Sequence, residues 1–320
     1  MADVLSLGRW WGWLAAAAAA VVAVGLIAVA VGQHQPVPAA ADAGWHNPSV
    51  GTDTSAANPS TPANPSASAT GVSASPSARP SAAAAAPAKA TPAHFATLPP
   101  GAALPAGAQC AAWVRAHPYP EGKGANRTAN QSTGHSIGTG FFTGDDSRAN
   151  TRIAVRVDGQ FTGTTREILR WAACKWGVDE DLVLAQAAVE SWWRQNTLGD
   201  WTTDASRCAP GRGLGVDGKP GQCPESFGIL QDRYPYQKPA WPGTARSTAM
   251  NADVAYAIWR TCFEGYETWL NNGYAAGDMW GCVGRWFSGQ WHAAASDPYT
   301  AKVRSYLSQR IWETPGFQEP

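Results

Sequence analysis

The first hundred residues cannot build a hydrophobic core, so the folding falls to the remaining two thirds of the chain. From Gln33 to Gly107 the sequence is Ala, Ser, Pro, Thr and Asn, with very few charges and almost no large aliphatic side chains. Such a stretch buries too little apolar area to offset the entropy lost in ordering its backbone. Pro36, Pro38, Pro48, Pro59, Pro62, Pro65, Pro76 and Pro80 also interrupt helix and sheet. Residues 33–107 therefore read as a disordered, partly extended tether.

Ahead of the tether, residues 10–32 carry no charge and are almost wholly apolar. As a helix rising about 1.5 Å per residue they would reach roughly 34 Å, enough to cross a hydrocarbon core of about 30 Å. Arg9 ends the short region 1–9, and no Lys or Arg follows until Arg79. That asymmetry places residues 1–9 in the cytoplasm and the rest outside. A single-pass anchor is the expectation. The alternative is a signal peptide cleaved at Ala39-Ala40-Ala41 or Ala41-Asp42-Ala43, although its apolar run would exceed the usual 7–15 or so residues. Both readings export the remainder, to the cell envelope or the medium.

Residues 108–320 suit one domain with a substantial core. All six cysteines lie there: Cys110, Cys174, Cys208, Cys223, Cys262 and Cys282. An even count in an exported domain points to disulfides, for which six cysteines allow 15 pairings. Cys208–Cys223 would close a Gly-rich loop and Cys262–Cys282 would join neighbouring helices, which leaves Cys110–Cys174. No Cys or His spacing matches a zinc site, so no metal is expected, nor any other cofactor. Formal net charge is zero with no Lys/Arg run, which argues against nucleic acid as a partner. Thirteen of the 17 tryptophans fall in this domain. Singly each is better explained as core, but the excess leans toward carbohydrate, whose faces pack on flat rings.

The expected architecture is mainly α. Residues 110–150 read as loop with a short helix at Ala111–Ala116, and Ile153–Val157 alternates like one strand of a hairpin. Thr164-Thr165-Arg166-Glu167 has capping-box spacing, opening a helix that runs to Trp176 and stops at Gly177. Asp179 caps a second helix expected over 180–194, whose second half is apolar nearly all round, as in a helix wrapped by others. A Gly/Pro/Cys-rich loop spans 197–224. Helices follow at about 248–270 and 278–287, and Asp297-Pro298 opens the last, reaching Trp312.

Glu190 is the residue that needs explaining. It sits near the end of the most apolar helix, beside Val189 and ahead of Ser191-Trp192-Trp193. Burial disfavours a carboxylate's charged form and raises its pKa. A carboxyl kept protonated near neutral pH can protonate a glycosidic leaving group. The structural alternative is a surface pair with Arg194 at i+4.

The segment Ala188-Val189-Glu190-Ser191-Trp192-Trp193 resembles the Glu-Ser motif of the lysozyme-like lytic transglycosylases, the Slt and goose-type lysozyme group. Ser226-Phe227-Gly228-Ile229-Leu230-Gln231 looks like that family's Gly-Leu-Met-Gln motif. Asn251 to Ala257 is similar to the helix that follows, Trp286-Phe287-Ser288-Gly289 falls where the family has Tyr-Asn-Ala-Gly, and Tyr299 to Leu307 resembles the closing helix. The likeness covers about residues 160–312. It implies a lysozyme-like domain with Glu190 as single acid/base, acting on the β-1,4 link between N-acetylmuramic acid and N-acetylglucosamine in peptidoglycan and leaving a 1,6-anhydro end. It also implies substrate contacts from Ser191, Trp193, Ser226, Gly228, Gln231 and Trp286. Leu230 replaces the family's Met, and Trp286-Phe287 replaces Tyr-Asn, so Trp286 has no hydroxyl to offer. Asp200, Asp204 and Glu225 are the possible second carboxylates. One of them facing Glu190 would favour a lysozyme-type hydrolase on the same fold. A non-catalytic wall-binding module is the third expectation.

Overall fold

The computed structural model describes residues 93–271 and 273–317. The apolar segment 10–32 and residues 33–92 of the tether expected over 33–107 lie outside them. Among the described residues no helix is long and apolar enough to cross a membrane.

The fold is mainly helical. Six helices of eight or more residues are described: α1 (Gly107–Arg115), α2 (Thr165–Trp176), α3 (Glu180–Ser191), α4 (Thr248–Phe263), α5 (Met279–Ser288) and α6 (Asp297–Gln309). α2 begins and ends where its sequence says. Thr164 accepts from the Glu167 N–H, the Glu167 side chain accepts from the Thr164 N–H, and Gly177 closes the helix at φ +58°. Every residue of α4 is buried, so α4 shares with α3 the central place that the sequence assigns to α3 alone. α4 packs on α2 and α5, while α3 packs on α2 and α6.

Four expectations are corrected. Folded chain starts before residue 108: Phe95 is buried, its carbonyl accepts from the Glu180 N–H, its own N–H donates to the Glu180 carboxylate, and Leu98 donates to the Gly177 carbonyl. The apparent strand 153–157 is a run of helical turns, Ala149–Ile153 and Ala154–Arg156. Its buried residues are Ile153, Ala154 and Val157, with Val155 half exposed, which is helical rather than alternating spacing. The next two residues, Asp158 and Gly159, donate their N–H groups to buried Asp253, which also takes Lys175 at 2.7 Å and the Trp176 N–H at 2.8 Å. α3 ends at Ser191, because Trp192 and Trp193 both turn left-handed, at φ +58° and +60°. Packing of Trp192 on Tyr306 and of both rings on Phe317 offsets that strain. α4 likewise stops at Phe263 rather than near Leu270.

The loop expected over 197–224 has paired ends. β1 (Leu198–Thr202) runs antiparallel to β2 (Cys223–Phe227), with Leu198 opposite Phe227 and Thr202 opposite Cys223. β3 (Asp232–Arg233) adds on the other side of β2. Three disulfides join Cys110 to Cys174, Cys208 to Cys223 and Cys262 to Cys282, a choice among the 15 pairings that the sequence leaves open. They fit an oxidising compartment outside the cytoplasm.

Candidate active site

Glu190 is the penultimate residue of α3 and only partly exposed. Its Oε1 accepts from Trp286 Nε1 of α5 at 2.9 Å and from the Tyr299 hydroxyl of α6 at 2.5 Å. Both bonds fall on one oxygen, which leaves Oε2 as the seat for a proton. Neither donor is a guanidinium, so the surface pair with Arg194 is not what holds this carboxyl. Burial lifts Glu190 to about 7, against the pull of the Tyr299 and Trp286 hydrogen bonds, and the negative charge of Asp200 adds to the rise.

A buried relay stands behind it. Tyr256 of α4 donates to Gln186 Oε1 at 3.2 Å, and Gln186 Nε2 donates to the Tyr299 oxygen at 3.1 Å. The Tyr299 proton is thereby directed at Glu190. Burial and the charge of Glu190 push the Tyr299 phenol well above its usual range, so it remains a donor. α3 supplies Gln186 one turn before Glu190, which puts both on one helix face.

The Gly228–Gln231 turn is built for rigidity. Gly228 is at φ +86°, and a Cβ there would overlap the Asn251 amide and approach that of Gln195. Asn251 takes the Leu230 N–H at 2.8 Å and donates to the carbonyls of Phe227 and Thr244. Gln195 takes the Ile229 N–H and donates to Thr244. Ser191 Oγ donates to the Ile229 carbonyl at 2.7 Å, tying the end of α3 to this turn.

The predicted residues therefore divide. Trp286 touches Glu190. Ser191 is buried, and its hydroxyl donates to the Ile229 carbonyl and accepts from the Arg194 N–H, so it braces the helix end. Trp193 is core rather than groove wall: it is buried and donates to the Leu184 carbonyl. Gly228 is needed for contact with Asn251, and its N–H is used on the Thr197 carbonyl. Gln231 folds back onto the Gly228 and Thr197 carbonyls. Ser226 is buried and bonds Asp200.

Of the three second-carboxylate candidates, Glu225 is buried between Arg207 and Arg233. Asp204 is exposed and caps the turn Ala205–Arg207. Asp200, held left-handed at φ +47° on β1, is the one whose charge reaches Glu190. A further acid lies close: Asp232, first residue of β3, is 1% exposed, and neither oxygen has a hydrogen-bond partner among the described residues. Burial, then the charge of Glu190, pushes it well above the carboxylate range. Sequence reasoning passed over Tyr299 as a site residue and Asp232 altogether. Asp232 directly follows Gln231, so its position at the motif's edge was the available signal. Tyr299 lies 109 residues from Glu190 and had none beyond its helix.

Among the described residues one grouping has metal-like spacing, His94 with Glu180 and Asp181. Its members are already committed: Glu180 to Arg170, Asp181 to Arg310 and His94 to Asp179.

Comparison with family models, with curated proteins and with solved structures returns no match for this chain.

Proposed function

We propose that this protein cleaves the glycan strand of peptidoglycan outside the cytoplasm as a lytic transglycosylase, with Glu190 as its single acid/base. The observation that carries the reading is a carboxyl poised near 7 at a helix end, with one oxygen held by a phenol and an indole and the other available. In the first step the Glu190 proton passes to the bridging oxygen as the bond from that oxygen to the anomeric carbon breaks. The substrate's N-acetyl oxygen bonds to that carbon. In the second step Glu190 takes the proton of the sugar's 6-hydroxyl, whose oxygen displaces the N-acetyl oxygen and closes the 1,6-anhydro ring. A pKa near the working pH serves both directions of transfer.

Tyr299 and Trp286 position the carboxyl and stabilise its ionised form between the two steps. Residues 10–32, if uncleaved, would hold the domain to the membrane on its tether.

Direct hydrolysis is the second reading, favoured by Asp200 on the strand β1. A second carboxylate there would activate water or stabilise the oxocarbenium-like centre. Mass analysis of the sugar ends released from peptidoglycan separates the two: anhydro ends support the first and reducing ends the second. Release that is unchanged in Glu190→Gln would sink both.

A further inference from the structure

A second cavity, of about 340 Å³, shares no residue with the Glu190 cluster. It lies between the segment 141–145, the turn after β3, Ile258 of α4 and Arg285 of α5. Its polar lining is rich in acceptors. Glu267 is 1% exposed and ion-paired with Arg285 through Oε1, while its Oε2 has no hydrogen-bond donor among the described residues. Gln237 is 5% exposed, and its Oε1 likewise has none. Asp145 takes the Trp269 N–H on Oδ1 at 2.6 Å. Two carboxyl groups thus face one guanidinium. Burial holds Glu267 up at about 8 despite Arg285, and Asp145 at about 6. A buried acceptor left without a donor is a standing cost unless a ligand supplies one.

We propose that this cavity binds a primary ammonium group carried on a flexible aliphatic stem, as on a lysine-like side chain. An ammonium brings three donors and one positive charge, which matches Glu267, Gln237 and Asp145; Glu267 gives up its proton on binding, so that two carboxylates balance the ammonium and Arg285. Phe142, Tyr236 and Trp269 line the same space and suit the methylene stem, with ring faces that also favour a cation. A divalent metal fits poorly. The three acid or imidazole groups spaced for a metal among the described residues lie elsewhere, and the Arg285 guanidinium adjoins the Glu267 carboxylate. An anionic ligand would meet two carboxyl groups. The inference does not rest on the glycan reading.

Calorimetric titration of the full-length protein with Nα-acetyl-lysine amide tests it, with the Nε-acetylated derivative and Nα-acetyl-norleucine amide as controls. Saturable binding is expected for the free amine alone. Asp145→Asn and Glu267→Gln are each expected to weaken it about tenfold or more, as removal of a charged hydrogen-bond partner does. Glu190→Gln is expected to bind as the wild type does. Absence of saturable binding overturns the proposal, as does equal binding of the norleucine control. Wild-type affinity in Asp145→Asn also overturns it. Should Glu267→Gln fail to fold, Asp145→Asn decides alone, because Asp145 is only partly buried and an amide oxygen can still accept from Trp269.

Discussion

Tyr299 donates its phenolic proton to the carboxyl of Glu190, 109 residues earlier in the chain. That bond supplies, from the last long helix, the hydroxyl that Trp286 lacks. Trp286 contributes an indole N–H to the same oxygen. Two helices thus converge on the end of a third, and the pKa of one carboxyl is set by the balance between their donors and its burial.

Tyr299→Phe removes a donor that favours the ionised form. Glu190 should then titrate above 7, because burial acts with less opposition. The alkaline limb of the pH–rate profile on peptidoglycan should move upward, with turnover lowered about tenfold to a hundredfold. A profile that falls in amplitude without moving would mean that the bond is structural only.

Asp200→Asn should shift the same limb the other way, since it removes a like charge that raises Glu190. In the lytic mechanism the variant keeps most of its activity. Were Asp200 a general base or nucleophile, turnover would drop roughly 10²- to 10⁴-fold. The two outcomes are read from one rate measurement beside the product analysis.

Glu190→Gln should abolish turnover and alter stability with a defined sign. The folded-state pKa, about 7, lies above the ordinary glutamate value of 4.5, so the folded protein binds the proton more tightly. The associated stability is present below about 4.5 and is lost as pH rises through 7. At pH 8 the ionised carboxylate costs on the order of 2 kcal/mol, reduced for its partial exposure. Denaturant titration should therefore show the variant gaining on the wild type between pH 4 and pH 8. Parallel behaviour at both pH values would place Glu190 in a solvated setting.

Removal of the Cys110–Cys174 bridge should cost more than removal of Cys208–Cys223. The bridged residues are 64 and 15 apart, and loop-closure entropy gives about 4 and about 3 kcal/mol respectively. Paired Cys→Ala variants compared by denaturant midpoint at equal slope test the order.

Gly228→Ala should be severely destabilising, by about 3 kcal/mol or more, since it combines positive φ with overlap of the Asn251 amide. Asn251→Ala should do similar harm by orphaning the Leu230 N–H and withdrawing a donor from the carbonyls of Phe227 and Thr244, the second of which Gln195 still serves. Near-wild-type melting of either would mean that the turn has another support.

Local rules carried the reading a long way. The capping box at Thr164, the cap at Asp179 and the glycine after Trp176 need only neighbouring residues, so α2 and the start of α3 were legible. Glu190 was legible too, because a carboxylate in an apolar run is conspicuous without a fold. What failed were judgements that depend on contact. Ile153–Val157 alternates in sequence, yet its buried residues fall at helical spacing. Leu198–Thr202 looks like loop until β2 comes to pair with it. Trp193 and Ser191 carry sugar-binding chemistry but spend it on the Leu184 and Ile229 carbonyls.

By itself the amino-acid order determined that the cysteine-bearing part is mainly helical and that one carboxyl on its most apolar helix is out of place. These follow from composition, spacing and caps, which act within a few residues. Only the tertiary structure decided what surrounds that carboxyl: Tyr299 and Trp286 as donors, Asp200 as a neighbouring charge, and Asp232 buried with no hydrogen-bond partner among the described residues. A side chain's pKa and the use of its hydrogen bonds depend on groups brought within a few ångströms by packing, and chain order does not state those distances.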